Sequence, residues 1–108
     1  MKLEIKGTIS KTTPIEALGK QGNLFKMTII ISKPAPTNEF GETYGKPQRF
    51  PVEIIKNDRT AMPNAAELHN KKVNAICYLN GYDYPTTSTI DGIAYGLRLN
   101  LKELIFIK

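Results

Sequence analysis

The chain begins with alternating polar and apolar residues, a pattern typical of a β-strand with one buried face. Leu3, Ile5 and Ile9 share one side, and the residues between them are mostly charged or hydroxyl-bearing. Successive side chains of a strand point to opposite faces, so this pattern predicts a half-buried strand. Gly7 lies inside it, at a position where glycine often marks a bulge or a bend.

The same alternation recurs in four later segments, at residues 24–32, 48–56, 72–80 and 93–107. Their apolar sides are formed by Phe25, Met27, Ile29 and Ile31, then Phe50, Val52 and Ile54, then Val73, Ala75, Cys77 and Leu79, and finally Ile93, Tyr95, Leu97, Leu99 and Leu101. The phase of the polar–apolar alternation slips near Glu103, because residues 104–107 are all apolar. A bulge there, or burial of both faces at a subunit contact, explains the slip.

The segments between these strands contain one helix and three stretches of turn composition. Residues 57–70 hold the helix, of at most two turns, with Asn64 as its cap after Pro63. Residues 19–23 and 81–92 are rich in turn residues. Residues 33–47 carry three prolines and two glycines without apolar periodicity, so they form a long loop or a loose hairpin. We expect this loop to be mobile without a ligand and to gain hydrogen-exchange protection if it binds one.

The order of three strands, a short helix and two strands predicts an all-β OB-fold. That fold is a five-stranded barrel, here with its helix between strands 3 and 4. An SH3-like barrel is the main rival, but it lacks a helix at that position. Residues 1–108 form a single domain, with no repeat or linker. The apolar faces predict a core that includes Ile5, Ile29, Val52, Val73, Leu97 and Leu99.

Composition narrows the classes of protein that the chain can belong to. A length of 108 residues excludes a TIM barrel or a two-domain enzyme. One cysteine excludes a disulfide scaffold, and one histidine with no Cys/His cluster argues against a metal site. The sequence has no signal peptide and no apolar run long enough to span a membrane, so we expect a soluble, cytoplasmic protein. The net charge of +5 favours anionic partners.

Residues that carry out catalysis are scarce. His69 ends the predicted helix without a nucleophile nearby, and Cys77 shares the apolar face of its strand, as a small buried hydrophobe does. Glu39 and Glu42 lie in a loop that offers no apolar setting to separate their pKa values. The glycines match no phosphate-binding loop. We therefore predict a protein that is not an enzyme and that uses no cofactor or metal.

Basic and aromatic residues give the clearest functional signal. The excess of lysine and arginine lies towards the two ends of the chain, and several aromatic residues fall outside the predicted core. A positively charged groove with aromatic faces for base stacking is the chemistry that holds single-stranded nucleic acid. Local packing is the alternative role for each of these aromatic residues, which are Phe40, Tyr44, Phe50, Tyr82 and Tyr84.

Three stretches resemble bacterial single-stranded DNA-binding proteins. Residues 67–107 resemble the second half of that family, from Glu67-Leu68-His69-Asn70-Lys71-Lys72 through Leu79-Asn80-Gly81-Tyr82-Asp83-Tyr84 to the Asp91-Gly92 turn and the last strand. Residues 22–28, Gly-Asn-Leu-Phe-Lys-Met-Thr, resemble its second strand. Residues 50–55, Phe-Pro-Val-Glu-Ile-Ile, resemble its third strand, which begins with a base-stacking aromatic.

The resemblance implies roles for particular residues. Phe50 corresponds to the third-strand stacker, and Tyr84, with Tyr82 near it, to the aromatic that follows the fourth strand. Phe40 or Tyr44 stands in for the aromatic of the loop between the second and third strands. Phosphate contacts are expected, from the strand phases of this sequence, at Lys26, Arg49, Lys56, Arg98 and Lys102.

The chain also departs from this family. Ile76 stands near the usual fourth-strand glycine, no tryptophan is present, and the sequence ends without the acidic, apolar-tipped tail that recruits other proteins. The family suggests a homodimer or homotetramer. The favoured function is sequence-independent binding of single-stranded DNA in replication, recombination or repair. The alternative is an OB-fold protein-interaction module, of primosome or assembly type, that binds no DNA. Binding of RNA or of a saccharide is less favoured than either of these two functions.

Overall fold

The computed structural model describes residues 1–18 and 24–107 and is mostly β. Its strands, in chain order, are β1 Lys2–Thr12, β2 Glu16–Leu18, β3 Leu24–Lys33, β4 Gln48–Lys56, β5 Lys72–Pro85 and β6 Ile93–Phe106. The 3-10 turn Arg59–Ala61 and the helix α1 Ala65–Leu68 lie between β4 and β5, the predicted third and fourth strands. The short strand β2, which pairs with β3, was not predicted. The turn predicted at residues 19–23 lies outside the described residues.

The five long strands form a closed ring. Antiparallel pairs join β3 to β4, β3 to β1, β1 to β5 and β5 to β6, and a short parallel pairing of β4 with β6 closes the circuit. This ring resembles an OB-fold, in which strands of a Greek key curl around one core. β1 changes partner from β5 to β3 at Thr8. Gly7 precedes this change because a β-carbon there would lie 2.6 Å from the Ser32 carbonyl oxygen.

The interior of the ring is the hydrophobic core, and it follows the alternation of the sequence. The predicted core residues Ile5, Ile29, Val52 and Val73 are buried, and Cys77 is buried beside them. Leu68 of α1 belongs to the same cluster. The Asn64 side chain accepts a hydrogen bond from the Ala66 amide (3.0 Å), which confirms the predicted cap. Because α1 follows the end of β4 and precedes the start of β5, it covers one end of the ring.

Two strands extend beyond the ring as a hairpin. Among the described residues, 80–85 of β5 and 93–98 of β6 pair only with each other, and we call them the arm. The prediction that Leu97 is buried was wrong. The residue is 71 % exposed, because none of the described strands covers the arm where Leu97 pairs with Gly81. Leu99, two pairs closer to the ring, is half-buried against the core.

The phase slip near Glu103 is a β-bulge. Ile76 pairs with Glu103 and the next residue, Cys77, pairs with Leu101, which leaves Lys102 as the extra residue of β6. The bulge allows Leu101 and Leu104 both to pack against the core, although they are three residues apart. The bulge, one of the two explanations that the sequence suggested, is therefore confirmed.

The end of the ring opposite α1 is open and apolar. Its cavity of about 410 Å³ is lined by residues of all five long strands, and we call it the mouth. Its apolar lining is Leu3, Ile5, Phe50, Pro51, Leu79, Leu97 and Leu99. Lys33 and Glu4 are the polar residues of the lining. Among the described residues, no helix is both long and apolar enough to cross a membrane.

Candidate nucleic-acid interface

The outer face of the arm carries a column of aromatic and cationic side chains. Tyr82 and Tyr84 are alternate residues of β5, so both point to the same face, and their rings stack with centroids 5.9 Å apart. The Arg98 guanidinium lies over the Tyr82 ring, 4.5 Å from its centroid. The sequence predicted both tyrosines in a loop after the strand. They lie instead in β5 itself, which continues to Pro85.

Gly96 makes room for this column. It pairs with Tyr82 across the hairpin, and a β-carbon on Gly96 would lie 2.5 Å from Cζ of the tyrosine ring. The ring therefore lies across the backbone of β6, where any larger residue would displace it. This brings Tyr82 between Tyr84 and Arg98 and leaves Tyr84, 47 % exposed, with surface open to solvent.

Lys26 and Arg98, two of the predicted phosphate contacts, lie near one carboxylate. The Lys26 Nζ atom is 3.2 Å from Oε1 of Glu53 and 3.4 Å from Oε1 of Glu16. The Arg98 Nε atom is 4.0 Å from Oε2 of Glu53. The hydrogen bond to Glu53 raises the pKa of Lys26 above its usual value, with a smaller contribution from Glu16. Both cations thus have an anionic partner in the unbound protein.

Phe50 has a position different from that of the two tyrosines. It lies on the inner face of β4 with Val52 and Ile54, where it packs against the core and lines the mouth. It is half-buried, so part of the ring faces the opening. The structure therefore gives Phe50 a packing role and leaves its stacking role as a prediction.

The loop between β3 and β4 forms a small hairpin that displays two aromatics. Thr37 and Thr43 pair as an isolated bridge, and the Asn38 side chain accepts hydrogen bonds from the amides of Phe40 and Glu42, each 2.9 Å long. Gly41, with φ of 78°, completes the turn in the left-handed conformation that favours glycine. Phe40 and Tyr44 are exposed. The structure does not bring them to the arm, and the expected mobility of this loop stays a prediction.

A basic pocket that the sequence did not reveal adjoins the mouth. Lys6, Lys33 and Lys46 line a cavity of about 310 Å³, and Lys33 also lines the mouth beside Phe50. These lysines are 13 or more positions apart in the sequence, so only the pairing of β1, β3 and β4 brings them together. In the described part of the chain, none of them has a carboxylate within 4.0 Å.

The other predicted phosphate contacts are distributed around the ring. Arg49 is exposed at the start of β4, beside Ser32 of β3, and Lys56 is exposed at its end. Lys102 is the bulge residue of β6 and lies next to Lys2, whose pKa the neighbouring ammonium lowers. Over residues 1–18 and 24–107, none of these four cations has a carboxylate partner within 4.0 Å. The arrangement offers several free cations for phosphates.

His69 and Cys77, two of the residues considered for catalysis, lie apart from this surface. His69 is exposed at the end of α1, and its amide donates to the Ala65 carbonyl. Cys77 is fully buried in the core, and burial raises the pKa of its thiol, which opposes formation of a thiolate. Within the part of the chain that the structure describes, no group of histidine, cysteine and acidic residues is arranged to hold a metal ion.

Comparison with solved structures shows the same fold in another protein. The chain is similar to the Plasmodium falciparum SSB, solved as a complex with ssDNA, with a TM-score of 0.66 and 15 % sequence identity. The match covers 99 % of this chain and 94 % of that chain. No protein-family model matches the sequence, and no curated protein does so either. The likeness at this identity establishes a shared fold over essentially the whole length: the chain has an SSB-like OB-fold.

Proposed function

We propose that this protein binds single-stranded DNA without strong sequence preference and without catalysis, in replication, recombination or repair. The observation that carries the proposal is the column of Tyr84, Tyr82 and Arg98 on the outer face of the arm. The solved structure with the same fold is a complex of an SSB with ssDNA, which supports the same class of ligand here.

Aromatic stacking supplies the contact with bases. The exposed surface of Tyr84 is available to a base that would extend the existing stack of Tyr82 and Tyr84. Such stacking tolerates any base, because every base has a π face. Phe50 in the mouth offers a second aromatic surface, and Phe40 and Tyr44 add two on the loop hairpin.

Lysines and arginines supply the contacts with phosphates. The basic pocket of Lys6, Lys33 and Lys46 adjoins Phe50, so a base at the mouth places its phosphate within reach of free ammonium groups. Arg49, Lys56 and Lys102 extend the positive surface, and the net charge of +5 acts at longer range. Binding through phosphates weakens as salt increases, because DNA counterions are released on binding.

Two tyrosines on opposite faces of the arm provide the test. We expect Tyr84→Ala to reduce affinity for oligo-dT by about 1–3 kcal/mol, the usual loss for one stacking contact. Tyr95→Ala is the matched control, because Tyr95 is 72 % exposed on the same hairpin but faces the other way. Affinity is measured by fluorescence anisotropy and folding by circular dichroism. Equal affinities of both variants and the parent would refute the stacking site.

A protein-interaction module is the second candidate, and one feature of the arm favours it. The face of β6 that points into the ring continues along the arm as an exposed apolar strip, formed by Ile93, Tyr95 and Leu97. Apolar surface of this kind often contacts another protein. The same titration distinguishes the two functions, because an interaction module that does not bind DNA leaves oligo-dT unbound even at low salt.

A further inference from the structure

Glu53 is an unexpected residue in the middle of the candidate interface. It lies on the outer side of β4, paired with Thr28 of β3 on one side and Asn100 of β6 on the other. A carboxylate repels phosphate, so an acid at this position weakens a surface that binds DNA. The side chain is nevertheless held in place, with only 12 % of it exposed.

Only one of the two oxygens of the Glu53 carboxylate has a partner at hydrogen-bond distance. Its Oε1 atom is 3.2 Å from Lys26 Nζ, whereas Oε2 is buried and accepts no hydrogen bond from any described residue. The Arg98 Nε atom lies 4.0 Å from Oε2, beyond hydrogen-bond distance. A buried oxygen without a donor is destabilising, and such groups are rare in native proteins unless they have a role. The contact with Lys26 satisfies only one of the two oxygens, so an acid at this position asks for a role besides packing.

We propose that Glu53 acts as an internal substitute for a DNA phosphate. In the unbound protein it neutralises Lys26 and holds the guanidinium of Arg98 near the Tyr82 ring. A strand that enters must replace this carboxylate as the partner of either cation. Glu53 thereby lowers affinity and makes binding easier to reverse. This inference rests on the proposed binding of single-stranded DNA and assigns a regulating residue to that surface.

The two cations differ in their freedom to exchange partners. Arg98 has 57 % of its side chain exposed, so it can turn from Glu53 towards a phosphate while it stays near Tyr82. Lys26 has two carboxylates, Glu53 and the more exposed Glu16, and is held more firmly. A small cavity of about 170 Å³ opens where β4 and β6 diverge, and Glu53 and Arg98 both line it. A phosphate in this cavity would lie beside Arg98.

The test compares two substitutions that remove the same charge. Glu53→Gln keeps the shape of the side chain and removes the anion shared by Lys26 and Arg98. Glu16→Gln is the matched control, because Glu16 contacts Lys26 but not Arg98 and is 61 % exposed. Affinity for oligo-dT is measured at several salt concentrations, and thermal unfolding checks the fold of each variant.

We expect Glu53→Gln to bind oligo-dT more tightly, by roughly threefold to thirtyfold. The gain is modest because the two ion pairs that oppose binding are partly exposed, and each such pair contributes little. The slope of log affinity against log salt should become steeper by up to about 1.4, or about 0.7 for each freed cation. Glu16→Gln should change both quantities much less. Equal changes in the two variants would show only an effect of net charge and would overturn the inference.

A second comparison isolates the contact with Lys26. In the parent, Lys26→Ala should alter the salt slope little, because Glu53 already neutralises the lysine. In the Glu53→Gln background the same change should reduce the slope by up to about 0.7, since Glu16 still contacts the lysine. If the parent binds oligo-dT but Glu53→Gln does not bind more tightly, the inference fails and the proposed function stands. If neither the parent nor Glu53→Gln binds oligo-dT at low salt, the proposed function itself fails.

Discussion

At the scale of single residues, the packing of Phe50 needs to be separated from its predicted role in base stacking. Its ring packs against the core and also lines the mouth next to Lys33. Truncating it to alanine removes apolar contacts as well as an aromatic face, so a loss of binding in Phe50→Ala has two explanations. Leucine distinguishes them, since it fills much of the same volume without a π surface.

We predict that Phe50→Ala lowers the free energy of unfolding by about 1–3 kcal/mol, as expected for apolar area lost from a half-buried side chain. Phe50→Leu should lose less than about 1.5 kcal/mol. Both should bind oligo-dT more weakly than the parent, because neither can stack on a base. Urea unfolding and anisotropy titration measure the two effects. Parent-like binding by Phe50→Leu would restrict Phe50 to packing.

For the candidate interface, the sequence predicted the strand faces of the cationic residues but not the partners of these residues. Lys26 and Arg98 were correctly placed on the outer faces of strands by alternation. Their approach to Glu53 depends on the register of three strands, and period-2 alternation contains no information about which residues lie opposite each other. The basic pocket was missed for the same reason, since its lysines come from separate segments.

At the scale of elements, the arm determines where the tyrosines lie. Residues 81–92 have the composition of a turn, yet β5 continues to Pro85 because Tyr82 and Tyr84 favour extended backbone and pair with β6. The glycines of the arm differ in their surroundings. A β-carbon on Gly81 would make an ordinary 3.8 Å contact with Leu97, whereas one on Gly96 would collide with Tyr82.

This difference gives a matched pair of substitutions. We predict that Gly96→Ala pushes the Tyr82 ring away from Tyr84 and Arg98 and weakens oligo-dT binding by about 0.5–1.5 kcal/mol, the value of an aromatic pair. Gly81→Ala should bind like the parent. Circular dichroism should show that both variants fold, because the tyrosine ring can turn aside. If Gly81→Ala weakens binding as much as Gly96→Ala, the tyrosine column is not responsible.

At the scale of the whole molecule, the closed ring and the arm make an extended shape. The radius of gyration is 16.5 Å, whereas a compact domain of this length has about 13 Å. The extension exposes the apolar strip of the arm, and the last residues of β6 expose Phe106 as well. Alternation of the sequence located the strands and most of the core. It failed at Leu97 because it does not show where the neighbouring strands end.

We predict that the protein forms a homodimer or homotetramer, in which part of this exposed apolar surface is covered. Light scattering after size-exclusion chromatography should give a mass of two or four chains. Leu97→Lys tests whether the arm contributes, because a charge at the contact should shift the mass towards the single chain. A mass of one chain for the parent at all concentrations would contradict the prediction.

Binding of single-stranded DNA is the central claim, and one titration tests it most directly. Oligo-dT and a DNA duplex of the same length are each titrated with the parent protein across a series of salt concentrations. We predict that oligo-dT binds more tightly than the duplex, since bases in a duplex are not free to stack on Tyr84, and that its affinity falls as salt increases. Failure to bind oligo-dT at the lowest salt, or equal affinity for the duplex, would contradict the account.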